Sequence, residues 1–149
     1  MKKSFIICIV IFCATLVRAQ HPINWKYSTK KIADKVYEVH ITAVIDEGWH
    51  LYAQQQPKSF IGSATTIRFN THPLVVFKGK VKEVGALKKT KEPTLGIESW
   101  QYANEVDFVQ QVTLKNNIKT AVTGNIEFQV CTDEKCLPPA SVNFNIQLD

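Results

Sequence analysis

Tyr37-Glu38-Val39-His40-Ile41-Thr42-Ala43-Val44-Ile45 sets an apolar side chain at every second position, with Glu38, His40 and Thr42 between them. Side chains of a strand point alternately to opposite faces, whereas one face of a helix recurs every three to four residues. The stretch therefore predicts a strand with one buried face. The same period governs most of the chain on either side. Val106, Phe108, Val112 and Leu114 share a face, and Ile126, Phe128 and Val130 mark another run entered through Thr123-Gly124-Asn125. In the last run Val142, Phe144, Ile146 and Leu148 alternate with Ser141, Asn143, Asn145 and Gln147. Shorter candidates are Ile23 to Tyr27, Trp49 to Tyr52, Thr66 to Phe69 and Val75 to Phe77. No sustained helical stripe follows the first twenty residues. About eight short strands separated by Gly, Pro and Asn predict an all-β chain folded as an antiparallel β-sandwich. A segment of about 130 residues buries enough surface to form a two-sheet core without a covalent staple.

The beginning of the chain has a different composition. Lys2 and Lys3 precede the apolar run Phe5 to Val17, and Val17-Arg18-Ala19 before Gln20 offers a small-residue cleavage site. This is the pattern of a secretory signal peptide, residues 1–19, and the run is short for the roughly 30 Å hydrocarbon core of a bilayer. Cys8 and Cys13 lie inside it and are expected to leave with it. The mature domain is then expected to be 20–149, an exported domain in a compartment that permits disulfides. Removing Lys2, Lys3 and Arg18 from 18 cationic residues leaves 15 against 13 acidic ones, a net of +2. A near-neutral surface argues against a nucleic-acid partner, which calls for a clustered basic face. The one basic run, Lys78 to Lys91, is interrupted by Gly79, Val81 and Glu83 and reads as a solvated strand edge or loop.

Chemistry concentrates in Cys131-Thr132-Asp133-Glu134-Lys135-Cys136, followed by Leu137-Pro138-Pro139. Two cysteines this close can bond around a small loop between strands. As a staple the bond is poorly placed, because closing a loop of about six residues stabilises by roughly 2 kcal/mol against nearly 5 for a loop of about 100. As a redox couple it is well placed, since a loop at a strand end leaves sulfur near solvent and open to an incoming thiolate. Lys135 favours a thiolate on Cys136 while Asp133 and Glu134 oppose it. The residues alone leave couple and clip open. Two cysteines supply half a zinc shell, and His21, His40, His50 and His72 show no spacing that completes it, so no metal is expected. No Ser-His-Asp order, phosphate-binding glycine loop or paired carboxylates stand out, and no cofactor is expected.

Asp46-Glu47-Gly48-Trp49-His50-Leu51-Tyr52, Tyr102 with the strand Val106 to Leu114, and Phe128 to Pro139 carry a resemblance. Together they resemble the amino-terminal periplasmic domain of the thiol–disulfide reductant transporter DsbD, a family also described as disulfide-bond corrector domains. The resemblance implies an immunoglobulin-like sandwich whose cysteines form a redox couple, with Cys136 attacking and Cys131 resolving. It implies a protein thiol–disulfide oxidoreductase whose partners are thioredoxin-like redox proteins or a membrane reductant transporter. Tyr52 matches one of two family tyrosines beside the pair, and His50 replaces the other. The family's shielding cap loop falls on Glu92-Pro93-Thr94-Leu95-Gly96. Glu92 matches a carboxylate close to the sulfurs and Gly96 the glycine ending the loop. Thr94 and Leu95 stand where the family has aromatics, so apolar cover is expected from Leu95 or Ile97. Four residues separate the cysteines here, one fewer than in the best-known members. The chain ends at Asp149 without a transporter or thioredoxin-like segment, so the electron donor is expected to be a separate protein. The competing expectation is a non-enzymatic exported binding module of the same fold, with the disulfide as a local clip.

Overall fold

The computed structural model describes residues 21–148. The expected leader, with Cys8 and Cys13, lies outside them. Among the described residues every regular element is a strand. In order they are β1 (Ile23–Ala33), β2 (Val36–Ile45), β3 (His50–Tyr52), β4 (Thr66–Phe69), β5 (Val75–Gly85), β6 (Lys88–Glu92), β7 (Ile97–Tyr102), β8 (Glu105–Leu114), β9 (Thr120–Phe128), β10 (Val130–Cys131) and β11 (Ala140–Leu148). They form three antiparallel sheets, ordered β1-β2-β8-β5, β10-β3-β7-β6 and β11-β9-β4. Strand β9 runs into β10 with only Gln129 between, which joins the second and third sheets into one layer facing the first. The result is an immunoglobulin-like β-sandwich.

Alternation sets the register. Tyr37, Ile41 and Ala43 of β2 stand opposite Val112, Phe108 and Val106 of β8, so both buried faces coincide. A slip of one residue would turn each of these side chains to solvent. Leu51, Ile126, Phe128 and Val130 enter the same core from the other layer. Trp25 packs tilted against Phe108 at 6.0 Å and edge-on against Phe128 at 5.3 Å, bridging the layers. Its indole N–H is buried without a hydrogen-bond partner among the described residues.

Several elements differ from the periodicity reading. Lys88–Glu92 and Ile97–Tyr102, which show no clear alternation, form the hairpin β6–β7. The basic run divides between β5 and β6, each at the edge of its sheet. Lysine side chains on such edges discourage pairing with another chain. Gln110 occupies a core-facing position of β8 because β5 shifts register between Lys78 and Lys82. At the start of this bulge Gln110 Nε2 donates to the Lys78 carbonyl at 2.9 Å. Gly124 is not a turn before β9 but its middle. A Cβ there would collide with the Arg68 carbonyl and the Phe144 ring, so close approach of three strands requires glycine.

Candidate redox site

The cysteine loop is a tight hairpin. Thr132 N–H donates to the Lys135 carbonyl at 2.7 Å and Leu137 N–H to the Val130 carbonyl at 3.0 Å, which aligns Cys131 directly opposite Cys136. Thr132 Oγ1 accepts the N–H groups of Glu134 and Lys135 at 3.2 and 3.1 Å, so a side chain closes the turn. The two cysteines are joined by a disulfide with Cα atoms 4.0 Å apart. Their environments differ. Cys131 belongs to β10, pairs with His50 of β3 and is 1% exposed. Cys136 is exposed on the far side of the loop. The expectation that both sulfurs lie near solvent therefore holds for one of them, because β10 carries Cys131 into the layer beside β3.

Cys136 opens into a groove of about 410 Å³ between the cysteine loop and the β6–β7 hairpin. His50 and Tyr52 of β3 line it together with Glu92 and Ile97 of the hairpin. The Tyr52 hydroxyl lies 3.9 Å from Cys136 Sγ. Burial pushes the Tyr52 pKa up, so its O–H remains a donor at neutral pH. The His50 ring meets Tyr52 edge-on at 5.5 Å. Burial pulls the His50 pKa down, Asp133 counteracts this and Lys88 adds to it. At neutral pH its imidazole is thus uncharged, and places no cation beside the sulfurs. Lys135 turns its ammonium toward the Trp49 ring, 5.9 Å from the centroid.

The loop 92–96 is the β6–β7 turn. Gly96 takes φ +66°, a region that favours glycine, and donates its N–H to the Glu92 carbonyl at 2.9 Å. Glu92 Oε1 accepts the Thr94 N–H at 3.0 Å, so one carboxylate oxygen holds the turn while the side chain borders the groove. Leu95 projects from the tip, 70% exposed, and does not line the groove; Ile97 supplies the apolar wall there. The structure thus brings Cys136, His50, Tyr52 and Glu92 together, sets Cys131 beneath them and leaves Leu95 outside. Phe60 escaped notice in the sequence. Its ring stacks edge-on against Tyr52 at 4.8 Å, and its one signal was a lone aromatic in a polar loop. Among the described residues no cluster of three or more His, Cys, Asp or Glu is arranged to hold a metal.

A family model described as thiol:disulfide interchange protein DsbD, N-terminal, matches residues 19–148. No curated protein sequence matches the chain significantly. Solved structures that share its fold include the following three. The reduced DsbD N-terminal domain of Neisseria meningitidis is 14% identical, covers 86% of each chain and superposes with TM-score 0.55. The N-terminal periplasmic domain of ScsB from Proteus mirabilis is 14% identical with TM-score 0.58, over 91% of this chain and 49% of that one. A complex between the DsbD N-terminal and PilB N-terminal domains from Neisseria meningitidis gives 14% identity and TM-score 0.54, over 87% and 86%.

Proposed function

The chain belongs to the family of DsbD N-terminal domains, and from that membership we propose that Cys131 and Cys136 form the working couple of a thiol–disulfide relay. The observation that carries this is the asymmetry of the pair, with Cys136 exposed in a groove and Cys131 buried behind it. Attack by an incoming thiolate has access to one sulfur only. A partner dithiol attacks Cys136 Sγ, the Cys131–Cys136 bond breaks, and Cys131 leaves as a thiolate that takes a proton. The partner's second thiol then displaces Cys136, and the partner leaves as a disulfide. Two electrons and two protons have moved to the cysteine pair. In the onward step Cys136 thiolate attacks an acceptor disulfide, and Cys131 thiolate attacks Cys136 Sγ to release the reduced acceptor.

The groove around the reacting sulfur is lined by neutral groups, Tyr52 and His50, and by charged ones, Glu92, Asp133 and Lys135 among them. The Tyr52 hydroxyl is aimed at Cys136 and is a donor to its thiolate, which lowers the energy of the charged form. Glu92 and Ile97 border the approach, and the β6–β7 turn is the candidate cap. The partner class is a thioredoxin-like protein or a membrane reductant transporter, and the setting is the periplasm after removal of a signal peptide 1–19. A protein partner fits the Neisseria meningitidis relative, which forms a complex with a PilB domain. Among the described residues no helix is long and apolar enough to cross a membrane.

The test is a trapping experiment. In Cys131→Ser the resolving thiol is gone, so the Cys136 thiolate should attack a thioredoxin-like partner that keeps a single cysteine activated as its thionitrobenzoate disulfide, expel thionitrobenzoate, and leave a Cys136–partner disulfide visible on a non-reducing gel. The wild-type disulfide should be reduced by the two-cysteine, dithiol form of that partner alongside a positive control. A disulfide that resists while the control is reduced overturns the relay.

A further inference from the structure

Tyr52 is held by a loop that the disulfide chemistry leaves unused. Between β3 and β4 the chain runs from Ala53 to Thr65 without strand pairing, yet side chains tie it down at three places. Gln56 accepts the Trp100 N–H at 2.9 Å and donates to the Trp100 carbonyl at 2.6 Å. Ser59 Oγ accepts the Glu98 N–H at 3.2 Å. Gln129 accepts the Ser63 N–H at 2.9 Å and donates to the carbonyl of Leu137, directly after Cys136, at 3.0 Å. Phe60 sits within this tethered loop with its ring edge-on to Tyr52 at an interplanar angle of 73°. Gly62 adopts φ +143°, and a Cβ there would lie 2.9 Å from Phe60 Cζ and 3.3 Å from Gln129 Oε1. The backbone is glycine where the Phe60 ring needs the space.

We propose that Phe60, seated by Gly62 and Gln129, is a positioning residue for Cys136, fixing the Tyr52 ring so that its hydroxyl donates to the Cys136 sulfur when reduction releases it as a thiolate. This rests on the exchange reading above. A disulfide sulfur is a weak acceptor, whereas a thiolate is a charged one, and hydrogen bonds to charged acceptors are the strong ones. The bond therefore gains strength as the sulfur gains charge, provided the hydroxyl is already in place. A tyrosine ring without a neighbour on the loop side would share its hydroxyl with water. The edge-to-face contact with Phe60 removes that freedom. Gln129 links the loop carrying Phe60 to the residue following Cys136, so donor and acceptor are referred to one frame.

The test is a double-mutant cycle read on the thiolate itself. In the reduced Cys131→Ser protein, alkylation of Cys136 by iodoacetamide is followed against pH by mass spectrometry of the Cys136 peptide. Phe60→Ala and Tyr52→Phe should each move the midpoint of that profile up the pH scale, Tyr52→Phe by about 1 to 2, the size expected for losing a hydrogen bond to a charged sulfur, and Phe60→Ala by no more than that. The double variant should shift no further than Tyr52→Phe alone, and Phe60→Tyr should keep the original profile. Gly62→Ala, which displaces the Phe60 ring without removing it, should shift the profile in the same direction and do nothing in the Tyr52→Phe background. An unshifted Phe60→Ala profile overturns the proposal. So does a Phe60→Ala shift that persists in full when Tyr52 is already phenylalanine, because Phe60 would then act through the fold rather than through the hydroxyl. Reduction of the wild-type disulfide by a thioredoxin-like dithiol separates the two ideas: if the couple exchanges and the cycle is additive, only the positioning role falls.

Discussion

His50 takes its chemistry from its place in β3. It pairs with Cys131 across the β3–β10 ladder, is 9% exposed and packs against the Tyr52 ring. Burial disfavours the imidazolium, so the folded pKa lies below the usual value near 6.5. As pH falls, the unfolded chain takes up the proton before the folded one. The stability tied to His50 is therefore complete above about pH 6.5 and declines as pH drops from there through the lower folded value. His50→Gln should remove that portion of the acid sensitivity, so urea midpoints between pH 8 and pH 5 should fall less steeply in the variant than in the wild type. Parallel slopes for the two proteins would contradict the buried neutral imidazole.

At the scale of elements, the third sheet depends on one missing side chain. Gly124 of β9 stands opposite Phe69 of β4 and Phe144 of β11, and those rings meet edge-on at 5.1 Å across it. An added methyl meets the Arg68 carbonyl as well as the Phe144 ring. A carbonyl in a ladder cannot rotate away as a flexible side chain can. Gly124→Ala should thus destabilise the domain by about 1–3 kcal/mol or more, typical of overpacking, measured as a lowered denaturation midpoint. A midpoint within error of the wild type would mean that β4 or β11 moves freely, against the register described. The β6–β7 hairpin shows the complementary lesson. Its residues Lys88-Lys89-Thr90-Lys91-Glu92 carry no apolar alternation because an edge strand has little core to face. Periodicity is a record of burial, and a strand that buries little leaves little record.

For the whole molecule, the core and the disulfide are separate sources of stability. Side chains of both layers meet in one continuous cluster, with Val39, Leu51, Val106 and Ile126 fully buried. The cysteines close a loop of few residues at its margin. The Cys131→Ser, Cys136→Ser double variant should therefore stay folded and lose about 2 kcal/mol, the loop-closure value for about six residues. Chemical denaturation should show a lower midpoint with a nearly unchanged slope, since so short a loop constrains little of the unfolded chain's surface. Failure to fold without the bond would make it a staple and remove the loop-closure argument for reading it as a couple.

Alternation of side-chain type was enough to indicate an all-β sandwich, because a strand's faces repeat every two residues wherever one of them is buried. The spacing of Cys131 and Cys136 likewise announced that a bond could form. Which sulfur faces solvent was beyond that reach, since it depends on β10 pairing with β3 while the loop beyond it turns outward. Leu95 and Phe60 make the same point from opposite directions. Leu95, inside the expected cap loop, is exposed and does not line the groove; Phe60, far off in the chain, reaches the tyrosine beside the sulfurs. Local periodicity reports whether a residue is buried. Its neighbours across the groove are set by long-range contacts between loops, and nothing in the chain's own pattern encodes them one residue at a time.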